Sequence, residues 1–174
     1  MATSSTPRKL SRAKQYAQIE RISVMGATSR MGPVGLWVYA NAYIRAGLAL
    51  PAPEAPYEPV RYYLACHSIE LSLKAFLSLH GATMLELSEN AFGHNLDAIV
   101  AAADAKGLQL QVALTPDHRV EISKAAMYYA GKVFEYPAVG EAMSGYPGLP
   151  KLEVLFVAAE LLVSTLAQPC REAE

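Results

Sequence analysis

The stretch Pro59-Val60-Arg61-Tyr62-Tyr63-Leu64-Ala65-Cys66-His67-Ser68-Ile69-Glu70-Leu71-Ser72-Leu73-Lys74-Ala75-Phe76-Leu77-Ser78-Leu79-His80 decides the fold. At ~100° per residue, Tyr62, Cys66, Ile69, Leu73 and Phe76 form one apolar stripe, while Leu64, Leu71 and Leu79 fall on other faces. A helix apolar on more than one side belongs at the centre of a bundle. Ala65, Ser68, Ser72 and Ala75 make a row of small side chains that a neighbouring helix can approach closely. The one strongly polar strip is His67, Glu70, Lys74 and Ser78.

Downstream, Gly81 ends this helix and a short irregular stretch follows. Asn95 is placed to cap a helix with a stripe of Leu96, Ile99, Val100 and Ala103, ending at Gly107. Thr115-Pro116-Asp117 then combines a cap, a first-turn proline and an acid suited to the helix dipole. That helix should reach about Gly131 and bury Val120, Met127 and Ala130. Pro137, Gly140, Gly145 and Pro147 make 132–149 an irregular loop. A last helix from near Pro150 is apolar through Leu152, Leu155, Phe156, Ala159, Leu162 and Leu166.

Upstream, the proline-rich run Leu50 to Pro59 reads as a stiff linker. Before it, a helix from near Pro33 presents Trp37, Ile44 and Leu48 on one side. A first helix from Ser11 to Met25 carries Leu10, Ala13, Ala17 and Ile19 on a modest stripe, and residues 1–10 read as a flexible tail. No segment alternates long enough to argue for a sheet. The expectation is an all-α, up-and-down bundle of five to six helices, one domain over residues 11–174.

Composition agrees with one core. The 174 residues are 52% apolar, and a formal charge of -1 provides no global basic field for nucleic acid. Cys66 and Cys170 form no metal-spaced pair, no disulfide-linked partner is expected, and the start of the chain lacks the unbroken apolar run of a signal peptide, which together point to the cytoplasm. The segment Val34 to Leu50, interrupted by Asn41 and Arg45, reads as a core helix, not a membrane span.

The run Ser68-Ile69-Glu70-Leu71-Ser72-Leu73-Lys74-Ala75-Phe76-Leu77, then Gly93-His94-Asn95-Leu96, then Tyr128-Tyr129 leading to Tyr136-Pro137, resembles a HEPN domain, the higher eukaryotes and prokaryotes nucleotide-binding domain. The resemblance covers Tyr62 to Pro137. It implies a helical bundle, usually a homodimer, in one of two roles. Some members are metal-independent RNA endonucleases of toxin or defence type with an Arg and His four to six residues apart. Others bind nucleotides or act as interaction modules. A third role open to this sequence is that of a structural oligomerisation subunit. Where relatives frequently carry a basic residue before the Tyr-Pro, this chain has Glu135.

Arg61 and His67 are the catalytic candidates by that spacing, but six helical positions leave them ~120° apart, with Arg61 on the small-residue face. The alternative has Arg61 pairing near the helix start. The ligand-binding candidates are His67, Glu70, Lys74, His94 and Tyr136. Glu70 and Lys74 form either an exposed helical ion pair of ~0.2–0.5 kcal/mol or part of a shielded cleft where Lys74 meets a phosphate. His94 either packs at its helix start or faces a ligand there, with His118 and Arg119 adding to an anion-friendly end. His80 suits the negative end of its helix dipole. Tyr128, Tyr129, Phe134 and Tyr136 either stack on a base or belong to the core or a dimer interface. Sequence spacing offers no metal site, and Gly145-Tyr146-Pro147-Gly148 lacks a Walker lysine, so no metal or cofactor is expected.

Overall fold

Proline opens three of the long helices, at the position where a missing N–H leaves no helical bond unmade. In the computed structural model, residues 32–51, 57–88, 92–136 and 139–173 are described. Their helices are α1 (Pro33–Ala49), α2 (Pro59–Leu79), α3 (Met84–Ser88), α4 (Leu96–Ala105), α5 (Leu108–Gln111), α6 (Pro116–Ala130), α7 (Val139–Ser144) and α8 (Leu152–Glu172). There is no strand among the described residues. The expected tail and the expected helix Ser11 to Met25 lie outside them, as do residues 52–56 of the expected linker and Pro137. Five helices are long, as the periodicity predicts. The three short ones fall where the sequence reading expects breaks, because four to six residues are too few to show a helical period.

Helix α2 is central, packed against α1, α4, α6 and α8. Its stripe of Tyr62, Cys66, Ile69, Leu73 and Phe76 is buried, and so is the row Ala65, Ser68, Ser72 and Ala75. The small row meets α1: Ser68 Oγ donates to the Ala40 carbonyl at 2.8 Å. Close approach continues at Gly47, where an added Cβ would lie 2.8 Å from Phe156 Cε1 and 3.5 Å from Leu64 Cβ. Trp37 ties α1 to α8, its indole N–H donating to Val163 O at 2.8 Å with the Arg171 guanidinium 4.8 Å above the ring. Leu48, expected inside with Trp37 and Ile44, is instead half exposed, because it sits in an open groove between α1 and α8 beside Arg45 and Val157. Helix α8 is long and apolar enough by length and composition to cross a bilayer. Its Leu155, Ala159, Leu162 and Leu166 are fully buried, and it packs against α1, α2 and α6.

The cap of α4 forms as expected, with Asn95 Oδ1 accepting from Ala98 N at 3.1 Å. On α6, Val120, Met127 and Ala130 are exposed, contrary to expectation, and Ile122, Ala125, Ala126, Tyr128 and Tyr129 are buried. Ranking by apolarity prefers Val and Met over Tyr; a tyrosine buries more area once its hydroxyl finds an internal partner, which both of these do. The expected irregular loop contains α7 and is fastened by three phenols. Tyr57 donates to Val133 O at 3.1 Å, Tyr62 to Pro150 O at 2.9 Å and Tyr128 to Pro147 O at 2.5 Å. Tyr146 stacks on Tyr57 with centroids 3.9 Å apart. Burial pushes the Tyr57 and Tyr62 hydroxyls up to about 12, so they stay protonated donors.

Candidate binding site around Glu70

Helical spacing places His67 one turn before Glu70 and Lys74 one turn after it, on the strip that faces α4 and α6. The Asn95 cap fixes the chain just ahead of α4, which brings Gly93 and His94 to that strip. Helix α6 adds Tyr129 from the opposite side.

Glu70 is the hub, 2% exposed. Its Oε1 accepts from Lys74 Nζ at 2.6 Å. Its Oε2 accepts from the Tyr129 hydroxyl at 2.5 Å and lies 2.9 Å from His94 Nδ1 and 3.5 Å from His67 Nδ1. His67 Nδ1 is 2.6 Å from the Tyr129 oxygen. Lys74, 8% exposed, also donates to Gly93 O at 2.9 Å. Burial alone would raise the Glu70 carboxyl; hydrogen bonds from His67, Lys74 and Tyr129, with the Lys74 charge, override it and hold the group down at about 2. Tyr129 is pushed well above the ordinary phenol range, chiefly by burial and then by the Glu70 charge. The pair is therefore an ionised acceptor beside a phenol that keeps its proton.

Around this hub lie aromatic rings. Tyr43 meets His67 edge-on at 4.5 Å and Tyr63 stacks on it at 5.3 Å, with planes 15° apart. Tyr129 meets His94 edge-on at 5.1 Å. The His94 side chain is 38% exposed, against 16% for His67, so the cluster runs from a buried carboxylate to an open edge of imidazoles and phenols.

Of the expected ligand-binding residues, His67, Glu70, Lys74 and His94 come together. Tyr136 does not: it is 64% exposed, and among the described residues no hydrogen bond or ring contact joins it to the cluster. The Glu70 and Lys74 pair is buried, which sets aside the exposed-pair alternative. Arg61 pairs with Glu58 at 2.6 Å and donates to the carbonyls of Leu50 and Pro51, tying the end of α1 to the start of α2. His118 completes a capping box with Thr115, and Arg119 holds Asp104 through two bonds of 2.6 and 3.0 Å. His80 Nδ1 meets Phe76 O at 2.8 Å. Sequence reasoning passed over Tyr43 and Tyr63. Tyr63 had a signal, four residues before His67 on the same face.

One ligand atom from each of His67, Glu70 and His94 lies within 4.8 Å of the others, a grouping that spacing alone does not show because His94 follows Glu70 by 24 positions. The carboxylate already accepts from Lys74 and Tyr129 as well as facing both imidazoles, so a divalent cation would displace N–H and O–H donors beside an ammonium group. The arrangement is built to hold protons. Comparison with protein-family models, curated proteins and solved structures gives no match for this chain.

Proposed function

We propose that this chain is a HEPN-like helical module that binds a nucleotide or an RNA segment at the edge formed by His67, His94, Tyr43 and Tyr63. The observation that supports this reading is the placement of Lys74. Its ammonium is turned inward to Glu70 and Gly93 O, so the groups left at the edge are flat rings and imidazole nitrogens. Flat rings suit base stacking, worth ~1–3 kcal/mol per base, more than they suit a polyphosphate. The homodimer implied by the resemblance and the cytoplasmic setting expected from cysteine usage belong to the same proposal. Binding without cleavage is the preferred form, since Arg61 is engaged by Glu58 and two backbone carbonyls and lies on another face of α2. Calorimetric titration with nucleoside monophosphates tests the proposal, with His94→Ala expected to weaken binding about tenfold while circular dichroism shows the helical fold retained, the thermal midpoint falling because Glu70 loses one donor. If no nucleotide binds at millimolar concentration, where the standard free energy is only about -4 kcal/mol, the reading fails.

A further inference from the structure

We infer that Glu70, directly at His94 and through the Tyr129 hydroxyl at His67, locks both rings as Nδ1–H tautomers, so that the edge of the site presents imidazole Nε2 lone pairs and prefers a base with an exocyclic amino group over one with a carbonyl there. The ligand half rests on the nucleotide-binding reading; the tautomer half does not.

The argument follows from which atoms can donate. An ionised carboxylate accepts only, so the His94 Nδ1 at 2.9 Å from Glu70 Oε2 carries a hydrogen. The Tyr129 hydroxyl has a single hydrogen and donates it to the same oxygen at 2.5 Å. The His67 Nδ1, 2.6 Å from that hydroxyl oxygen, must then be the donor in its own contact. Both rings are thus held with hydrogen on Nδ1, and a neutral ring so held has a bare lone pair at Nε2. Among the described residues neither Nε2 has a hydrogen-bond partner, and neither is a buried polar atom left without one, so both reach solvent. A carbonyl oxygen facing such a nitrogen sets lone pair against lone pair and leaves both unpaired. An amino N–H completes the bond. Adenine and cytosine carry that amino group where hypoxanthine and uracil carry oxygen.

The chain has four histidines, and the other two supply internal standards. His80 Nδ1 faces the Phe76 carbonyl, which only accepts, and so is protonated there. His118 Nδ1 accepts from Thr115 N and so is bare, placing its hydrogen on Nε2.

Long-range nitrogen–proton NMR on the ¹⁵N-histidine protein at about pH 8.5, above the ordinary imidazole range, reads the tautomers directly. Assignment uses His80→Gln and His118→Gln, which lie outside the site. The expected result is Nδ1–H for His67 and His94, matching His80 and opposite to His118; an Nε2–H form at either overturns the tautomer assignment. Calorimetry at the same pH with AMP against IMP and CMP against UMP then tests the ligand half. The amino member of each pair should bind at least about fivefold more tightly, the lower end of what an unpaired buried polar group costs. Equal affinity within the pairs overturns the preference and leaves nucleotide binding standing. No binding by any of the four overturns the nucleotide reading and the preference together, with the tautomers still decided by NMR.

Discussion

The Tyr129 hydroxyl lies 2.5 Å from Glu70 Oε2 and 2.6 Å from His67 Nδ1, so one phenol of α6 joins two side chains of α2 that are themselves a turn apart. Tyr129→Phe keeps the ring and removes both bonds. It should lower stability by about 1–3 kcal/mol in urea unfolding, because Glu70 stays buried with one donor fewer. Tyr136→Phe, at an exposed hydroxyl, should fall within about 0.5 kcal/mol of the parent. Equal effects from the two would remove Tyr129 from the network.

Acid should dissolve the same network. Glu70 is held at about 2 in the folded chain, below its ordinary 4.5, chiefly by hydrogen bonds and the Lys74 charge overcoming burial. A carboxyl lowered on folding stabilises the protein above its unfolded value, and that contribution disappears as pH falls from 4.5 towards 2. Its size is on the order of 3 kcal/mol. Unfolding free energies measured from pH 6 down to pH 2.5 should therefore decline, and Glu70→Gln should remove the part of the slope between about pH 4.5 and pH 2.5. A parallel decline in the variant would assign the acid sensitivity to other carboxylates, Glu121 among them, which is also held low although burial opposes it, through Lys124 and the Lys151 N–H.

Truncating the centre of α2 should cost more than any surface change. Leu73→Ala and Ile69→Ala each remove a fully buried aliphatic side chain from a helix packed on four others, and each should lose about 2–5 kcal/mol. An unchanged thermal midpoint in both would show that the helix is not where it is described.

The fold is legible in the sequence wherever period and punctuation agree. Pro33, Pro59 and Pro116 mark helix starts, Asn95 and Thr115 cap as their chemistry requires, and the 3.6-residue stripe of α2 is buried residue for residue. The half of the site that lies on one helix is legible for the same reason: His67, Glu70 and Lys74 share a strip because of helical geometry alone. The other half depends on tertiary folding. Gly93 reaches Lys74 across 19 positions and Tyr129 reaches Glu70 across 59, and no local pattern encodes those distances. Periodicity also cannot foresee that a tyrosine hydroxyl will find an internal acceptor, which is why α6 turns Tyr128 and Tyr129 inward and leaves Met127 outside.

The Glu70 and Lys74 pair itself should behave asymmetrically in a double-mutant cycle. Glu70→Leu leaves the Lys74 ammonium buried with only Gly93 O as acceptor, whereas Lys74→Leu leaves Glu70 with donors from Tyr129 and His94. Breaking a buried pair by removing one partner typically costs 3–5 kcal/mol, and the glutamate change should lie at or above the upper end while the lysine change lies at or below the lower. Replacing both with leucine removes the two charges together, so its cost should be smaller than the sum of the singles by about 0.5–3 kcal/mol. The double variant should still be less stable than the parent, because His94 and Tyr129 lose the acceptor that Glu70 provides. Costs that add within about 0.5 kcal/mol would show that the two groups contribute independently, and that the 2.6 Å contact between them is not what holds Lys74 inward.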